Sequence, residues 1–307
     1  MLRNKNQDKS RVSTRQLFLE SLEDRRLLAV GPQLIGIQPN DGELLSLLNP
    51  NDIRDVAPHE LLFRFDENQV FDPSNLDGIQ ITRSNDDHDF SPASVTTNFG
   101  LLDSSGNPVV SVRFSAVKLG IAHNDLKLVF SKRNLGNGVL PAIAVAGERV
   151  DISLNTNVNT LSTVNDLINS LELSSNLSAK STIRIEVIAG DPTTDIASLE
   201  TGNYSPLITS GANDIVVEPG FLGRSDTDPN NIIVRFAETL PDDLYRVDIF
   251  GEGNNALRTL VPAGEVAPAF NDLTDDNIDN GRDQFVQFEL DLAPVVTAVV
   301  PQPVVRQ

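Results

Sequence analysis

Oxygen-bearing side chains crowd into one stretch of this 307-residue chain, DLTDDNIDNGRD, which carries Asp272, Asp275, Asp276, Asn277, Asp279 and Asp283. Calcium is held by about six to eight oxygens, so such a run is a candidate cation loop with Asp275, Asn277 and Asp279 as its weak first ligands. Counted from Asp275 as an EF-type loop, Asn280 stands where glycine belongs and Val286 where a bidentate glutamate belongs. A solvated acidic loop is the plainer reading. A second cluster, Asp86-Asp87-His88-Asp89, sets an imidazole among carboxylates, as a divalent metal site would. The other histidines, His59 and His123, lie in unrelated segments, so a soluble surface loop is the alternative there.

A third pattern, Gly251-Glu252-Gly253-Asn254-Asn255-Ala256, fits the glycine fingerprint of dinucleotide sites and has Asp272 about 20 residues on. That fingerprint works only if a helix follows and turns its N-terminus to the pyrophosphate. Pro262, Gly264 and Pro268 leave no room for one. The glycines are therefore expected to serve a turn, where positive φ costs them little. No Gly-x-Ser-x-Gly elbow, HExxH helix or Walker loop occurs, and the absence of cysteine removes thiol nucleophiles and thiolate metal sites. Paired carboxylates could build a glycosidase, but 43 acidic residues make close pairs a matter of chance. With no Trp and two Tyr, flat aromatic sugar platforms are scarce. The expectation is a non-enzymatic protein with no cofactor, calcium excepted.

Charge is unevenly spread. Before Gly31 there are seven basic and four acidic residues, and the remaining 277 carry 17 basic against 39 acidic. A body this acidic is repelled by phosphate backbones and anionic head groups, which argues against nucleic acid and membrane surfaces as partners. No run approaches the roughly 18 apolar residues of a membrane span. The longest apolar run before Gly31 is Leu27 to Val30, shorter than the roughly 7 to 15 residues of a secretory signal core, so ordinary signal cleavage is not expected. Phe18, Leu22 and Ala29 fall near one face of a short amphipathic helix.

The elements that must position these groups read as strands. Length suggests roughly two domains at ~150 residues each. Short alternating runs between Gly, Pro, Asn and Asp predict strands over 33–38, 60–65, 78–83, 109–114, 126–130 and 149–154, then 181–188, 232–236, 245–250, 285–292 and 295–300. One segment departs: Val164, Leu167, Ile168 and Leu171 follow helical spacing behind Ser162 as a plausible N-cap. The fold class is mainly β, with one substantial helix in a mixed module.

Two resemblances add to this. Leu22-Glu23-Asp24-Arg25-Arg26-Leu27-Leu28 resembles the LEPR-xLL N-terminal segment of planctomycete cell-surface proteins, with Asp24 in place of the proline. It implies that residues 1–30 are an export or sorting segment and that the protein is secreted or on the cell surface. Pro39 to Gly42, Phe65-Asp66-Glu67, Asp72-Pro73 and Leu76 are similar to the opening strands of the bacterial Ig-like domain first described in the S-layer protein SbsA. Leu240-Pro241-Asp242 and Tyr245 match that family's closing half. The resemblance implies an Ig-like β-sandwich made of residues 31–98 and 215–292, split by an inserted module over 100–210. Insertion is cheap, because loop-closure entropy grows by only about 0.6 kcal/mol per doubling of length. Three small β domains in series is the alternative.

Residues 293–307 read as a linker or the start of a further domain, since Pro294, Val296, Val299 and Pro301 repeat the offsets of Pro32, Leu34, Ile37 and Pro39. The expected function is structural or adhesive, with other surface proteins or cell-wall material as partners. A calcium-dependent binding or adhesion module is the alternative.

Overall fold

The structure, a computed structural model, describes residues 31–40, 42–46, 52–66, 69–73, 76–198, 205–261, 267, 269–270 and 281–292. The leader with its motif Leu22 to Leu28, the candidate ligands Asp275, Asn277 and Asp279, and the strand expected over 295–300 lie outside them.

The chain opens with β1 (Leu34–Pro39), β2 (Asp52–Arg54), β3 (Glu60–Phe65) and β4 (Ile79–Arg83). It then runs through β5 (Ser94–Thr97), β6 (Val110–Ala116), β7 (Leu126–Arg133), β8 (Ala142–Ala146), β9 (Arg149–Asn157) and β10 (Thr160–Leu161). Helices α1 (Val164–Leu171) and α2 (Leu177–Lys180) follow, then β11 (Ile183–Gly190) and β12 (Leu207–Ile208). It closes with β13 (Ile215–Val216), β14 (Phe221–Arg224), β15 (Asn231–Arg235), β16 (Asp243–Ile249) and β17 (Gln284–Leu290). The protein is mainly β.

Period-two sequence makes these strands. In β3, Leu61, Phe63 and Phe65 are buried while Arg64 between them is exposed; in β16, Tyr245, Val247 and Ile249 face inward. Two sheets bury these rows against each other, one ordered β1-β3-β15-β14 and the other β13-β4-β16-β17-β2. Their shared core joins Ile37 to Ile81 with Ile232 to Leu290, a sandwich-like arrangement closed by residues far apart in sequence. Tyr245 stacks on Phe288 at 5.2 Å, and Phe65 meets Phe71 and Phe270 at 4.6 and 6.1 Å. Each such fully buried aromatic stabilises the fold by about 1.5–3 kcal/mol.

A second core lies wholly between these segments, from Ala93 to Ile208. Its sheets are β11-β6-β5 and β10-β9-β7-β12, with β8 also on β9. Phe99, Phe114 and Phe130 meet edge-on at 5.7–6.4 Å in its centre, and Val164, Leu167 and Leu171 of α1 pack beside them. Because β7 and β9 are parallel, the chain must cross over between them. Buried Asn155 fixes that crossover: its amide donates to the carbonyls of Gly136 and Val139, both at 2.8 Å, and its oxygen accepts from the Leu135 N–H.

Two details correct the reading of the sequence. The cap of α1 is Thr163, not Ser162: Thr163 Oγ1 accepts from the Asp166 N–H, and Asp166 answers on the Thr163 N–H. Ser162 is drawn away because its hydroxyl accepts from the Asn155 N–H at 2.7 Å. Residues 94–97, grouped above with the first segment, pair with β6.

Candidate functional site

Exit from the first core and return to it occur side by side. The chain leaves at the end of β4 and comes back as β13, which pairs with β4 so that Ile215 stands opposite Arg83. Between them the outgoing stretch 84–93 and the returning stretch 209–214 are stitched together, the Ala212 N–H donating to the Ser91 carbonyl at 2.9 Å and the Ser94 N–H to that of Thr209 at 3.0 Å.

The outgoing stretch holds an unusual backbone. Asn85, Asp86 and His88 all have φ between 55° and 68°, the left-handed region. Asn and Asp tolerate it best, yet each such residue costs on the order of 1 kcal/mol. What holds it is Asp243, the first residue of β16, whose side chain is fully buried. Its carboxylate accepts from the Ser84 hydroxyl at 2.5 Å, the Asn85 N–H at 2.9 Å, the Asp86 N–H at 3.3 Å, the Leu244 N–H at 2.8 Å and Arg83 Nη1 at 3.2 Å. Successive N–H groups of left-handed residues make an anion-binding concavity, and here it is filled by the protein's own carboxylate. Burial alone would raise the Asp243 pKa, but the Ser84 hydroxyl and the Asp86 and Leu244 N–H groups hold it below the usual carboxylate range.

Asp214, at the end of the returning stretch, has the opposite surroundings. It is 1% exposed, and neither carboxylate oxygen has a hydrogen-bond partner among the described residues. Burial, followed by the charges of Asp87 and Asp89, pushes its pKa up to about 7. Arg246 opposes this, but its guanidinium is committed to Asp248, at 2.7–3.1 Å, and lies 4.1 Å over the Phe285 ring.

Beside this junction a cleft of about 950 Å³ opens between the outer face of β16 and β17 and the elements β6, β11 and α1. Its charges are largely paired with one another. Arg184 of β11 reaches across to Asp283, which also accepts from the Gly251 N–H at 2.8 Å. Lys180 bonds Glu172 at 2.9 Å. Glu252, also in the wall, is pushed up by burial and then by Asp283. Such a surface can hold a polar ligand or seal one module against the other.

Of the residues singled out from sequence, Asp87 and Asp89 sit at the junction, while His88 is exposed and His59 and His123 are elsewhere. Among the described residues no group of three or more His, Cys, Asp or Glu side chains stands ready to hold a metal. Gly251 and Gly253 follow β16, and among the described residues no helix comes after them. Gly253 has φ +76°, as a turn requires, while Gly251 is hemmed in by backbone. Sequence reasoning passed over Asp214 and Asp243, which no local spacing sets apart from the many other acids.

No protein family, curated protein or solved structure matches this chain.

Proposed function

We propose that the protein is a non-enzymatic, exported or cell-surface structural or adhesive protein, in which an Ig-like sandwich carries an inserted β module. The observation that carries this reading is the arrangement of the two cores: one closes around residues 37–81 and 232–290 and the other lies entirely between. A module entered and left through adjacent strands is held at two points, so it resists rotation better than one on a single tether. That property suits a spacer. The Tyr245 hydroxyl supports the Ig-like assignment by donating to the Pro241 carbonyl at 2.9 Å, the kind of upstream backbone contact made by the tyrosine corner of such sandwiches. The proposed split is residues 31–98 plus 215–292 around 100–210, and the pairing of β5 with β6 supports an exit within the 84–93 loop. The location rests on the resemblance of residues 22–28 to LEPR-xLL segments.

Protease shaving of intact cells tests the reading. Peptides from residues 31–292 are expected in the supernatant from the full-length protein and not from a variant lacking residues 1–30. Equal release from both would overturn the role of the leader, and release from neither would overturn the surface location.

A further inference from the structure

The turn from Gly251 to Ala256 is rooted in the first module, because Leu257 beside it is fully buried in that core. It meets the end of α2, which Ala179 fixes in the second core. There the Ser181 hydroxyl accepts from the Asn254 N–H at 2.6 Å and the Asn255 N–H at 3.3 Å, and donates to the Leu177 carbonyl at 3.1 Å. The Asn254 N–H also reaches that carbonyl, at 3.3 Å, and so serves a helix end whose last carbonyls need outside donors. Gly253 makes the approach possible. Its φ is +76°, and a Cβ there would lie 2.8 Å from the Leu177 carbonyl oxygen and the Ser181 nitrogen, and closer still to Ser181 Oγ. Arg258 holds the turn from the other side, its Nη2 donating to the Gly253 carbonyl at 3.2 Å.

We propose that this turn is a clasp, which docks on the end of α2 and locks the inserted module to the sandwich at one angle. Position gives it leverage. The two chain connections lie side by side at the start of β16, where Asp243 holds the outgoing loop, and adjacent tethers there still permit swinging about that end. The clasp follows the far end of β16, six residues on, or roughly 20 Å at 3.3 Å per residue. Between the two ends the modules stand apart across the large cleft, whose lining runs from Ser91 and Pro92 at the junction to Lys180 and Glu252 beside the clasp. A second opening, of about 410 Å³, is lined by Ser181, Asn254 and Asn255 themselves. Other links across the gap use long side chains: Arg184 bonds Asp283, the Gln80 amide donates to the Leu119 carbonyl at 3.3 Å, and the Lys118 ammonium lies 5.8 Å from the centre of the Phe250 ring. Exposed ion pairs of that kind hold little, because two long side chains must be ordered to make them. The clasp is made of backbone and one short hydroxyl, each anchored in a core, so little further ordering is required. The lock is independent of where the protein resides.

Pulsed electron–electron resonance on the full chain provides the test, since the absence of native cysteine lets nitroxide labels be placed cleanly. Ile53→Cys in β2 and Val158→Cys after β9, at residues 59% and 85% exposed, put one label on each module. A single narrow distribution of distances between the labels is expected. Gly253→Ala should at least double its width, and Ser181→Ala should broaden it less, with circular dichroism checking that both are folded. Gly138→Ala is the control: φ there is +74°, but its Cβ would meet open space, so the same backbone strain should leave the width unchanged. Should Gly253→Ala fail to fold, Ser181→Ala decides. A broad distribution in the labelled parent, a width unmoved by the clasp variants, or equal broadening by Gly138→Ala would overturn the lock and leave the question of export untouched.

Discussion

Replacing Asp243 with alanine is expected to lower the free energy of unfolding at pH 7 by about 3–5 kcal/mol, read as a shift in the midpoint of urea denaturation. Five donors converge on this one carboxylate. Removing it strands the Ser84 hydroxyl and three backbone N–H groups, and it also removes what balances the left-handed conformations of Asn85 and Asp86. Bonds to a charged acceptor contribute roughly 1.5–3 kcal/mol each when intact; part of the loss is recovered as the exposed loop rehydrates. The sign of the pH dependence follows from the depressed pKa. A carboxylate held below its unfolded value contributes fully above that value, near ~3.9, and loses the contribution as pH falls through the folded one. The gap between wild type and Asp243→Ala should therefore be widest at neutral pH and close below pH ~4. A gap unchanged down to pH ~2 would mean that the charge is not what the loop needs.

Gly251→Ala is expected to cost about 2–4 kcal/mol, although the change adds one methyl group. A Cβ at this position would lie 2.5 Å from the backbone nitrogen and oxygen of Arg282 and from the Phe270 carbonyl oxygen. None of these atoms is the free end of a side chain, so relief requires moving the chain between β16 and β17, where Asp283 is bonded to Arg184 and to the Gly251 N–H. The same variant separates two meanings of the glycine pattern. Here glycine is needed for close approach of backbone to backbone, so NAD or FAD should leave the melting temperature of the wild type unchanged. Stabilisation by either dinucleotide would contradict that account.

Most of the long strands were legible because a sheet buried on one face writes its geometry into alternation. Leu61, Phe63 and Phe65, or Ile183 and Ile185, can be oriented before any coordinates exist. The helix was legible for the analogous reason, its apolar positions recurring every three or four residues. Short edge strands were not. β2, β12 and β13 have two or three residues, too few for a period, and β8 (AIAVA) is mostly alanine. The junction was hidden by a different cause. Asp243 meets its partners in Arg83 to Asp86 across 157–160 residues of chain, so no local spacing records the contact. Asp214 is told from the other acids only by burial, which comes from the packing of the two connections. The Asp86-Asp87-His88-Asp89 cluster did stand out in sequence, though with histidine as its centre. In the fold His88 is exposed and it is Asp87 and Asp89 that act on Asp214.

The central claim is that β1 to β4 and β15 to β17 form one cooperative unit despite the module between them. Limited proteolysis at the exposed acids of the 84–89 loop, with an endoproteinase that cuts at aspartate, tests it when the nicked protein is run on size exclusion without denaturant. The account predicts that the fragment carrying β1 to β4 co-elutes with the fragment carrying β15 to β17 and parts from it only in denaturant. Elution of the N-terminal fragment alone as a folded, protease-resistant piece would contradict it.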